Sequence, residues 1–189
     1  MESVLIVSSA DKGTAYFTDL LNGAPIEQIT VSQSCSHARR LLLERDFDLV
    51  IINAPLRDES GESLARYIAS KGISQVMLVV KSEYYDAISA ACENDGVLTI
   101  SKPVYKSIFW SAFMLAKAAG NRIKQVQAEN ERLKLKIEEI RIVDRAKCIL
   151  ISHVNMSEQE AHRYIEKQAM DMRATKRAIA EGILKTYEY

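Results

Sequence analysis

The feature that most constrains this chain is the alternation of short apolar runs with helical patterns over residues 1–120. Four runs are rich in Val, Ile and Leu and a fifth is weaker; they lie at residues 4–7, 48–52, 76–80, 96–100 and, more weakly, 28–31. Such runs are typical of strands covered on both faces. Helical segments lie between them, at about residues 13–21, 34–44, 62–71 and 84–93. The alternation predicts an α/β unit with a doubly wound, parallel five-stranded sheet.

The ends of the predicted strands carry recognisable motifs. Segment 48–55 reads Asp-Leu-Val-Ile-Ile-Asn-Ala-Pro, a Ser-Gly pair follows at 60–61, and Ser-Lys-Pro follows the last run at 101–103. In order and spacing these motifs resemble the receiver domains of response regulators in two-component systems, over about residues 1–120. Ligands of such sheets bind beyond the carboxyl ends of the strands, so a site is expected at this edge.

The resemblance also assigns positions at that edge. The phosphate-accepting Asp of a receiver falls on Asn53, and the acidic pair that holds magnesium falls on Ser8 and Ser9. The Thr or Ser after the fourth strand falls on Val80. Lys102 alone keeps the residue of the family.

These replacements remove the chemistry of phosphorylation. Phosphoryl transfer to a side chain needs a carboxylate nucleophile and hard oxygen ligands for Mg²⁺. Asn53 cannot form an acyl phosphate, and Asp11 alone is a poor substitute for a metal-binding pair. We therefore expect a pseudo-receiver that is not phosphorylated at the usual position and that offers a platform for a regulatory protein or ligand. Asp58, on the following loop, remains an alternative acceptor.

A heptad pattern occupies residues 121–140. Its seam steps by three and four residues and contains one amide; the members are Ile123, Val126, Asn130, Leu133, Ile137 and Ile140. This spacing predicts a parallel dimeric coiled coil, in which a core Asn fixes the register and favours two strands. The alternative, an amphipathic helix lying on its own sheet, fits the preceding segment 108–119, which is predicted to be the fifth helix of the α/β unit.

Residues 141–189 contain signals for three short helices. The first continues from the coiled coil and ends near Asn155, a residue that tolerates the left-handed conformation. The segment from Ser157 to Glu160 predicts a capping box at the start of the second helix, and a third runs to about residue 187. The inward positions of the second helix are predicted to be Ala161, Tyr164, Ile165 and Ala169.

Five short motifs occur in order within these helices: Arg145-Ala-Lys147-Cys-Ile-Leu150, Ser157-Glu-Gln-Glu160-Ala161, Ala169-Met170, Arg173 and Ile179-Ala180. Together they resemble the ANTAR domain over about residues 140–186, with Cys148 in place of the usual Gly. The ANTAR family is found at the C-terminus of response regulators that act as transcription antiterminators. The resemblance implies that a dimer binds tandem hairpins in leader RNA and so prevents the terminator hairpin from forming. The domains are accordingly 1–120, 121–140 and 141–189.

Basic residues of the last segment are the candidates for RNA contact. RNA binding needs cations for phosphates and flat or hydrogen-bonding groups for loop bases. The candidate RNA-binding residues are Arg145, Lys147, Arg163, Lys167, Arg173, Lys176 and Arg177. Alternatively, these side chains form solvated surfaces paired with Glu158, Glu166 or Glu181, and Tyr164 is a core residue rather than a platform for a base.

The sequence also excludes several classes of protein. The 25 basic and 25 acidic residues balance, and no apolar run approaches the roughly 18 residues of a membrane span. Three widely spaced cysteines, Cys35, Cys92 and Cys148, predict reduced thiols in the cytoplasm. No zinc-ligand spacing, nucleophile elbow or phosphate-binding Gly-rich loop occurs, so we expect no metal, no cofactor and no enzymatic activity.

Two other functions remain open. The first is a protein-interaction adaptor, in which the coiled coil and the pseudo-receiver bind a partner while the C-terminal helices only pack. The second is a DNA-binding regulator, although the tight turn between adjacent helices that a helix-turn-helix needs is missing.

Overall fold

The structure is a computed structural model that describes residues 1–187. It divides into two compact units, Met1–Lys124 and a second that begins at Gln125. The first unit contains, in order, β1 (Ser3–Val7), α1 (Asp11–Leu21), β2 (Gln28–Ser32), α2 (Cys35–Glu44), β3 (Leu49–Asn53), α3 (Glu62–Ser70), β4 (Gln75–Lys81), α4 (Tyr85–Cys92) and β5 (Leu98–Lys102). Helix α5 (Lys106–Val154) starts in the first unit, and the second adds α6 (Glu158–Asp171) and α7 (Lys176–Tyr187).

The sheet of the first unit has the order β2-β1-β3-β4-β5, and every neighbouring pair is parallel. This is the order of the flavodoxin-like doubly wound fold. Consecutive side chains of a strand point to opposite faces, so Val4 and Ile6 join one core layer while Leu5 and Val7 join the other. The predicted five-stranded parallel α/β unit is confirmed.

Two apolar layers cover the sheet. One layer lies on the side of α2, α3 and α4 and includes Val50 and Leu64. The other layer lies on the side of α1 and α5 and includes three aromatic rings from these helices. The centroid of Phe109 lies 6.0 Å from that of Phe17 and 6.3 Å from that of Phe113. The first part of α5 therefore packs on the sheet as the predicted fifth helix, because its aromatic positions repeat at helical spacing.

Helix α3 begins at a point of close approach to the sheet. Gly61, its N-cap, has φ +91°, and a Cβ at this position would lie 2.9 Å from Cγ2 of Ile52. Only a glycine combines this backbone conformation with so short a contact. The residue thus sets the path of the chain that leaves β3.

The second unit has a small core built from three helices. Ala146 and Leu150 of α5 pack with residues of α6 and α7, namely Ala161, Ile165, Ala180 and Leu184. The predicted three-helix arrangement is confirmed. The prediction that Tyr164 points into the core of this unit is wrong, because Tyr164 is 39% exposed. Ala161, Ile165 and Ala169 repeat every four residues along the buried face, whereas Tyr164 is turned about 100° from Ile165 around the helix.

None of the helices within residues 1–187 combines the length and the apolar character needed to cross a membrane.

Candidate functional site

The first candidate site is the carboxyl edge of the sheet. Asn53, the last residue of β3, donates a hydrogen bond from Nδ2 to Ser8 Oγ at 3.0 Å, and Ser8 Oγ donates to the carbonyl oxygen of Ala10 at 3.1 Å. Ser8 is buried. Asn53, at the acceptor position, and Ser8, at one of the two metal-ligand positions, are therefore brought together in a neutral hydrogen-bonded contact.

Helix α1 packs directly against the contact between Asn53 and Ser8. A Cβ placed on Gly13 would overlap Asn53 Nδ2 and would lie 2.9 Å from Ser8 Oγ. Gly13 therefore lets the backbone of α1 approach the two side chains. Any larger residue at position 13 would have to displace the amide of Asn53.

Ser9 and Asp58 hold the loops around the edge. Ser9 Oγ donates to the carbonyl oxygen of Gln33 at 2.9 Å and accepts from the backbone N–H of Arg57 at 3.0 Å. The carboxylate of Asp58, the alternative acceptor, instead accepts from the backbone N–H groups of Cys35 and Ser36 at 3.1 and 3.0 Å. These bonds, led by that from Ser36, lower the pKa of Asp58. Asp58 therefore serves as a cap for the N-terminus of α2.

Two lysines face each other across the last two strands. Lys81 and Lys102 are register partners in β4 and β5. Lys102 donates from Nζ to the carbonyl oxygen of Ala54 at 2.5 Å. Burial lowers the pKa of Lys102, and the charge of Lys81 lowers it further. Lys81 forms an exposed ion pair with Glu83 at 3.4 Å.

Val80 does not lie with Asn53, Ser8 and Lys102 at the carboxyl edge of the sheet. Asn53 pairs with Val79, so Val79 and Lys81 lie on the face of Asn53, whereas Val80 is buried in the opposite layer. The position assigned to Val80 at the edge of the sheet is thus corrected to Lys81. The edge carries lysines and neutral groups where a phosphorylated receiver needs carboxylates.

One cluster of side chains could be considered for a metal ion among the described residues: Cys35, Asp58 and Glu59. Burial, followed by the nearby charges of Asp58 and Glu59, raises the pKa of the Cys35 thiol to about 12. The carboxylate of Glu59 is bound by Arg39, and that of Asp58 caps α2. Since a metal needs the thiolate and free lone pairs, this cluster does not have the character of a metal site.

The heptad seam of α5 is apolar and open to solvent in the single chain. Leu133 is 48% exposed, and the other apolar seam residues are exposed to a similar extent; they are Ile123, Val126, Ile137 and Ile140. Asn130 is exposed among them. Leu135, which lies outside the seam, is 64% exposed.

Helix α6 begins with a capping box, in which a side chain at each end of the first turn bonds to a backbone N–H group. Ser157 Oγ accepts from the backbone N–H of Glu160 at 3.3 Å, and the backbone N–H of Ser157 donates to Glu160 Oε2 at 2.8 Å. The predicted capping box is confirmed, and the bond from the Ser157 backbone lowers the pKa of Glu160. Asn155, at φ +56°, makes the turn between α5 and α6.

Three of the candidate RNA-binding cations are held by carboxylates of the same unit. Lys147 lies 2.8 Å from Asp144 and 3.1 Å from Glu158, and its side chain is only 17% exposed. The other two pairs are Lys176 with Glu166 at 2.5 Å and Arg177 with Glu181 at 2.8 Å. Hydrogen bonds within these pairs raise the pKa values of Lys147 and Arg177 and lower that of Glu166.

Three of the remaining candidate cations have no such partner. Arg163, Lys167 and Arg173 form no ion pair with another residue in the part of the chain that the structure describes. Arg163 and Lys167 lie one turn apart on α6 and line an open groove together with Tyr164. Arg173 stands in the turn before α7 with φ +51°.

Comparison with known proteins connects these two units to one family. The family model of the ANTAR domain matches residues 131–184. The transcriptional regulatory protein PdtaR of Mycobacterium tuberculosis is 30% identical over 139 residues, which cover 74% of this chain and 68% of PdtaR. The chain belongs to the ANTAR-domain response regulators.

Solved structures agree on the fold of the first unit. The signal receiver domain of an HD domain-containing protein from Pseudomonas fluorescens Pf-5 matches 69% of this chain and 93% of its own length, with a TM-score of 0.56 at 23% identity. A response regulator receiver domain from Clostridium thermocellum matches 67% of this chain and 99% of its own length, with a TM-score of 0.57 at 19% identity. The α/β unit of this ANTAR-domain response regulator therefore has a receiver fold.

Sequence reasoning missed two features of this ANTAR-domain response regulator. The first is the position of Lys81 on the face of Asn53. It would follow from the alternation of side chains along β4 if the pairing of Asn53 with Val79 were known. The second is the division of the cations into paired and unpaired groups. Pairs such as Lys147 with Asp144 are visible as a three-residue helical spacing, but the pair of Lys176 with Glu166 joins two helices and needs the fold.

Proposed function

We propose that this protein is a transcription antitermination regulator that binds tandem RNA hairpins in leader transcripts as a dimer. The observation that carries the proposal is the ANTAR match at residues 131–184 in a chain related to the transcriptional regulatory protein PdtaR. Cations and an exposed tyrosine on α6 support RNA as the partner, because RNA recognition combines phosphate contacts with stacking on loop bases. The function is one of binding, not catalysis, in the cytoplasm.

The α/β unit acts in this proposal without phosphorylation at the usual position. Asn53 donates to Ser8 Oγ in a buried neutral contact, and neither residue supplies a carboxylate. An acyl phosphate needs a carboxylate nucleophile with anionic oxygens around Mg²⁺. A regulatory protein or a small ligand at the pseudo-receiver takes the place of a phosphoryl signal.

Dimerisation is supported by the seam of α5. Apolar side chains such as Leu133 and Ile137 are about half exposed at heptad positions, and burial of such side chains against a second copy is favourable. Asn130 fixes a parallel register in this arrangement. Two copies then present two ANTAR units to the two hairpins of one transcript.

An adaptor is the second candidate function. The internal ion pairs of Lys147, Lys176 and Arg177 favour it, because cations that are already neutralised contribute less to RNA binding. In that case the C-terminal helices only pack, and the seam of α5 and the pseudo-receiver bind a protein.

The deciding experiment selects RNA from a pool of tandem hairpins with randomised loops, using the full-length protein. Binding of the selected RNA is then measured by fluorescence anisotropy against an RNA with the same stems and scrambled loops. We expect preferential binding of the selected RNA, and increased read-through when it precedes a terminator in single-round transcription. Failure to enrich any RNA, or equal weak binding to both, would replace the antiterminator with the adaptor.

A further inference from the structure

We infer that the groove beside Tyr164 binds one unpaired nucleobase of an RNA loop, with the neighbouring phosphate held by Arg163 and Lys167. The inference rests on the proposed RNA-binding function and adds a specific site to it. In this inference the main contacts with RNA come from α6, and not from Lys147 or the candidate cations of α7.

The groove has the size and the walls for a base. Its volume is about 510 Å³, within the range of small-ligand sites. It opens at the turn between α5 and α6, where the left-handed Asn155 and the side chain of Met156 form one wall. Tyr164 lies on the opposite helix and is 39% exposed, although an aromatic ring on a small helical unit gains from burial. A stacked base would provide that burial.

The two cations of the groove are available for a phosphate. Arg163 and Lys167 lie four residues apart on α6 and thus on the same side of the helix as each other. Neither forms an ion pair with another described residue, whereas Lys147, Lys176 and Arg177 are each bound by a carboxylate. An RNA phosphate at Lys176 would have to displace Glu166, but at Lys167 it displaces only water.

Glu160 sets the direction in which the nucleotide lies. It lines the groove at the start of α6, and its Oε2 is bound by the backbone and hydroxyl of Ser157. Its Oε1 forms no hydrogen bond with another described residue and can accept one from the exocyclic amino group of a base. The same negative charge repels a phosphate, so the phosphate lies toward Lys167, two turns along the helix.

The test uses the RNA obtained by selection, with the full-length protein and anisotropy as the readout. Tyr164→Ala is expected to weaken binding about 5- to 150-fold, the range for loss of one stacked base, while Tyr164→Phe stays close to wild type. Arg163→Gln and Lys167→Gln are each expected to weaken binding by up to about fivefold. Lys185→Gln on α7, which removes an exposed cation outside the groove, is the matched control and is expected to leave binding unchanged.

A second readout does not depend on folding of the variants. The selected RNA carrying 5-iodouridine at single loop positions is irradiated with wild-type protein, and the cross-linked peptide is identified by mass spectrometry. A cross-link to Tyr164 from one loop position supports the groove. Specific RNA binding by wild type together with no cross-link in α6, or with equal losses for Lys167→Gln and Lys185→Gln, overturns the groove and leaves the proposed function intact. No specific binding by wild type overturns the proposed function itself.

Discussion

Among individual residues, the most informative are the three at the carboxyl edge of the sheet that stand where a phosphorylated receiver has carboxylates. Asn53 and Ser8 bond to each other, and Ser9 bonds to neighbouring loops. Gly13 allows α1 to cover the amide of Asn53. The positions that bind metal and phosphate in a phosphorylated receiver thus hold loops and helices together in this chain.

The variant Asn53→Asp tests whether one carboxylate restores phosphorylation. We expect no phosphorylated product with acetyl phosphate and Mg²⁺, because Ser8 and Ser9 still offer no anionic metal ligands. Intact-mass spectrometry provides the measurement, and a variant that also carries Ser8→Asp and Ser9→Asp is the matched comparison. Phosphorylation of the single variant would show that the metal-binding pair is not required.

Asp48 gives the first unit a pH-dependent stability. Burial alone would raise its pKa, but hydrogen bonds from Lys124 and from the backbone N–H groups of Glu2 and Ser3 lower the pKa to about 2. A carboxyl whose pKa falls on folding stabilises the native state above its unfolded value near 4, and this contribution is lost as the pH falls toward 2.

We therefore expect Asp48→Asn to lower the free energy of unfolding by about 1–2 kcal/mol at pH 7, below the full linkage value because Lys124 is exposed. The difference from wild type should shrink between about pH 4 and pH 2. Urea unfolding across this range measures it, with the exposed neighbour Asp46→Asn as control. A difference that stays constant with pH would contradict the assignment to the charged form.

At the scale of elements, the start of α6 illustrates how local sequence fixes a boundary. The Ser157 side chain and the Glu160 carboxylate each satisfy a backbone N–H group that the helix leaves free. The groove that we assign to a nucleobase begins at this turn. The capping box therefore contributes to the position of Tyr164 as well as to the stability of the helix.

Replacement of Ser157 by Ala should loosen the first turn of α6. We expect the local free energy of opening to fall by about 1 kcal/mol, the usual value of an N-cap. Hydrogen exchange measured by mass spectrometry should then be several-fold faster in the peptide that covers the start of α6. Ser152→Ala in α5 removes an exposed hydroxyl that forms hydrogen bonds within α5 itself, with the carbonyl oxygen of Ile149 and with Nδ1 of His153, and it should leave exchange in α6 unchanged.

The elements were predictable to a greater extent than the site. Apolar runs, turn residues and the capping box are local signals, so the five strands and the helices follow from them. The register between β3 and β4 is not local, so the sequence does not decide whether Val80 or Lys81 lies on the face of Asn53. The face of Tyr164 and the pairing of Lys176 with Glu166 depend on packing between helices, which no short segment encodes.

For the molecule as a whole, the proposed dimer depends on α5. Apart from Asn130, its seam residues are apolar and exposed, and exposed contiguous apolar side chains of this kind mark association surfaces. The chain also exposes Leu135 on the same helix, outside the seam. Substitutions at Leu133, in the seam, and at Leu135, outside it, therefore distinguish an effect on the seam from the general effect of an added surface charge.

We expect Leu133→Glu to convert the proposed dimer to monomers, because the substitution would place two carboxylates in the core of the proposed coiled coil. Leu135→Glu makes the same chemical change at an exposed position on the face of the helix opposite the seam and should leave the proposed dimer intact. Sedimentation equilibrium of the full-length variants measures the difference. Equal behaviour of the two variants would argue against a parallel seam through Leu133.

The internal ion pairs of the ANTAR unit have a consequence for the ionic-strength dependence of RNA binding. Affinity for a polyanion falls with salt in proportion to the number of condensed counterions that the protein releases, with a log–log slope of about −0.7 to −0.9 per phosphate neutralised. Lys147, Lys176 and Arg177 already carry their own carboxylate counterions. We expect a slope of about −2 to −3 from Arg163, Lys167 and Arg173, against about −4 to −5 if Lys147, Lys176 and Arg177 also took part. The steepness of a salt titration thus counts the cations that meet RNA.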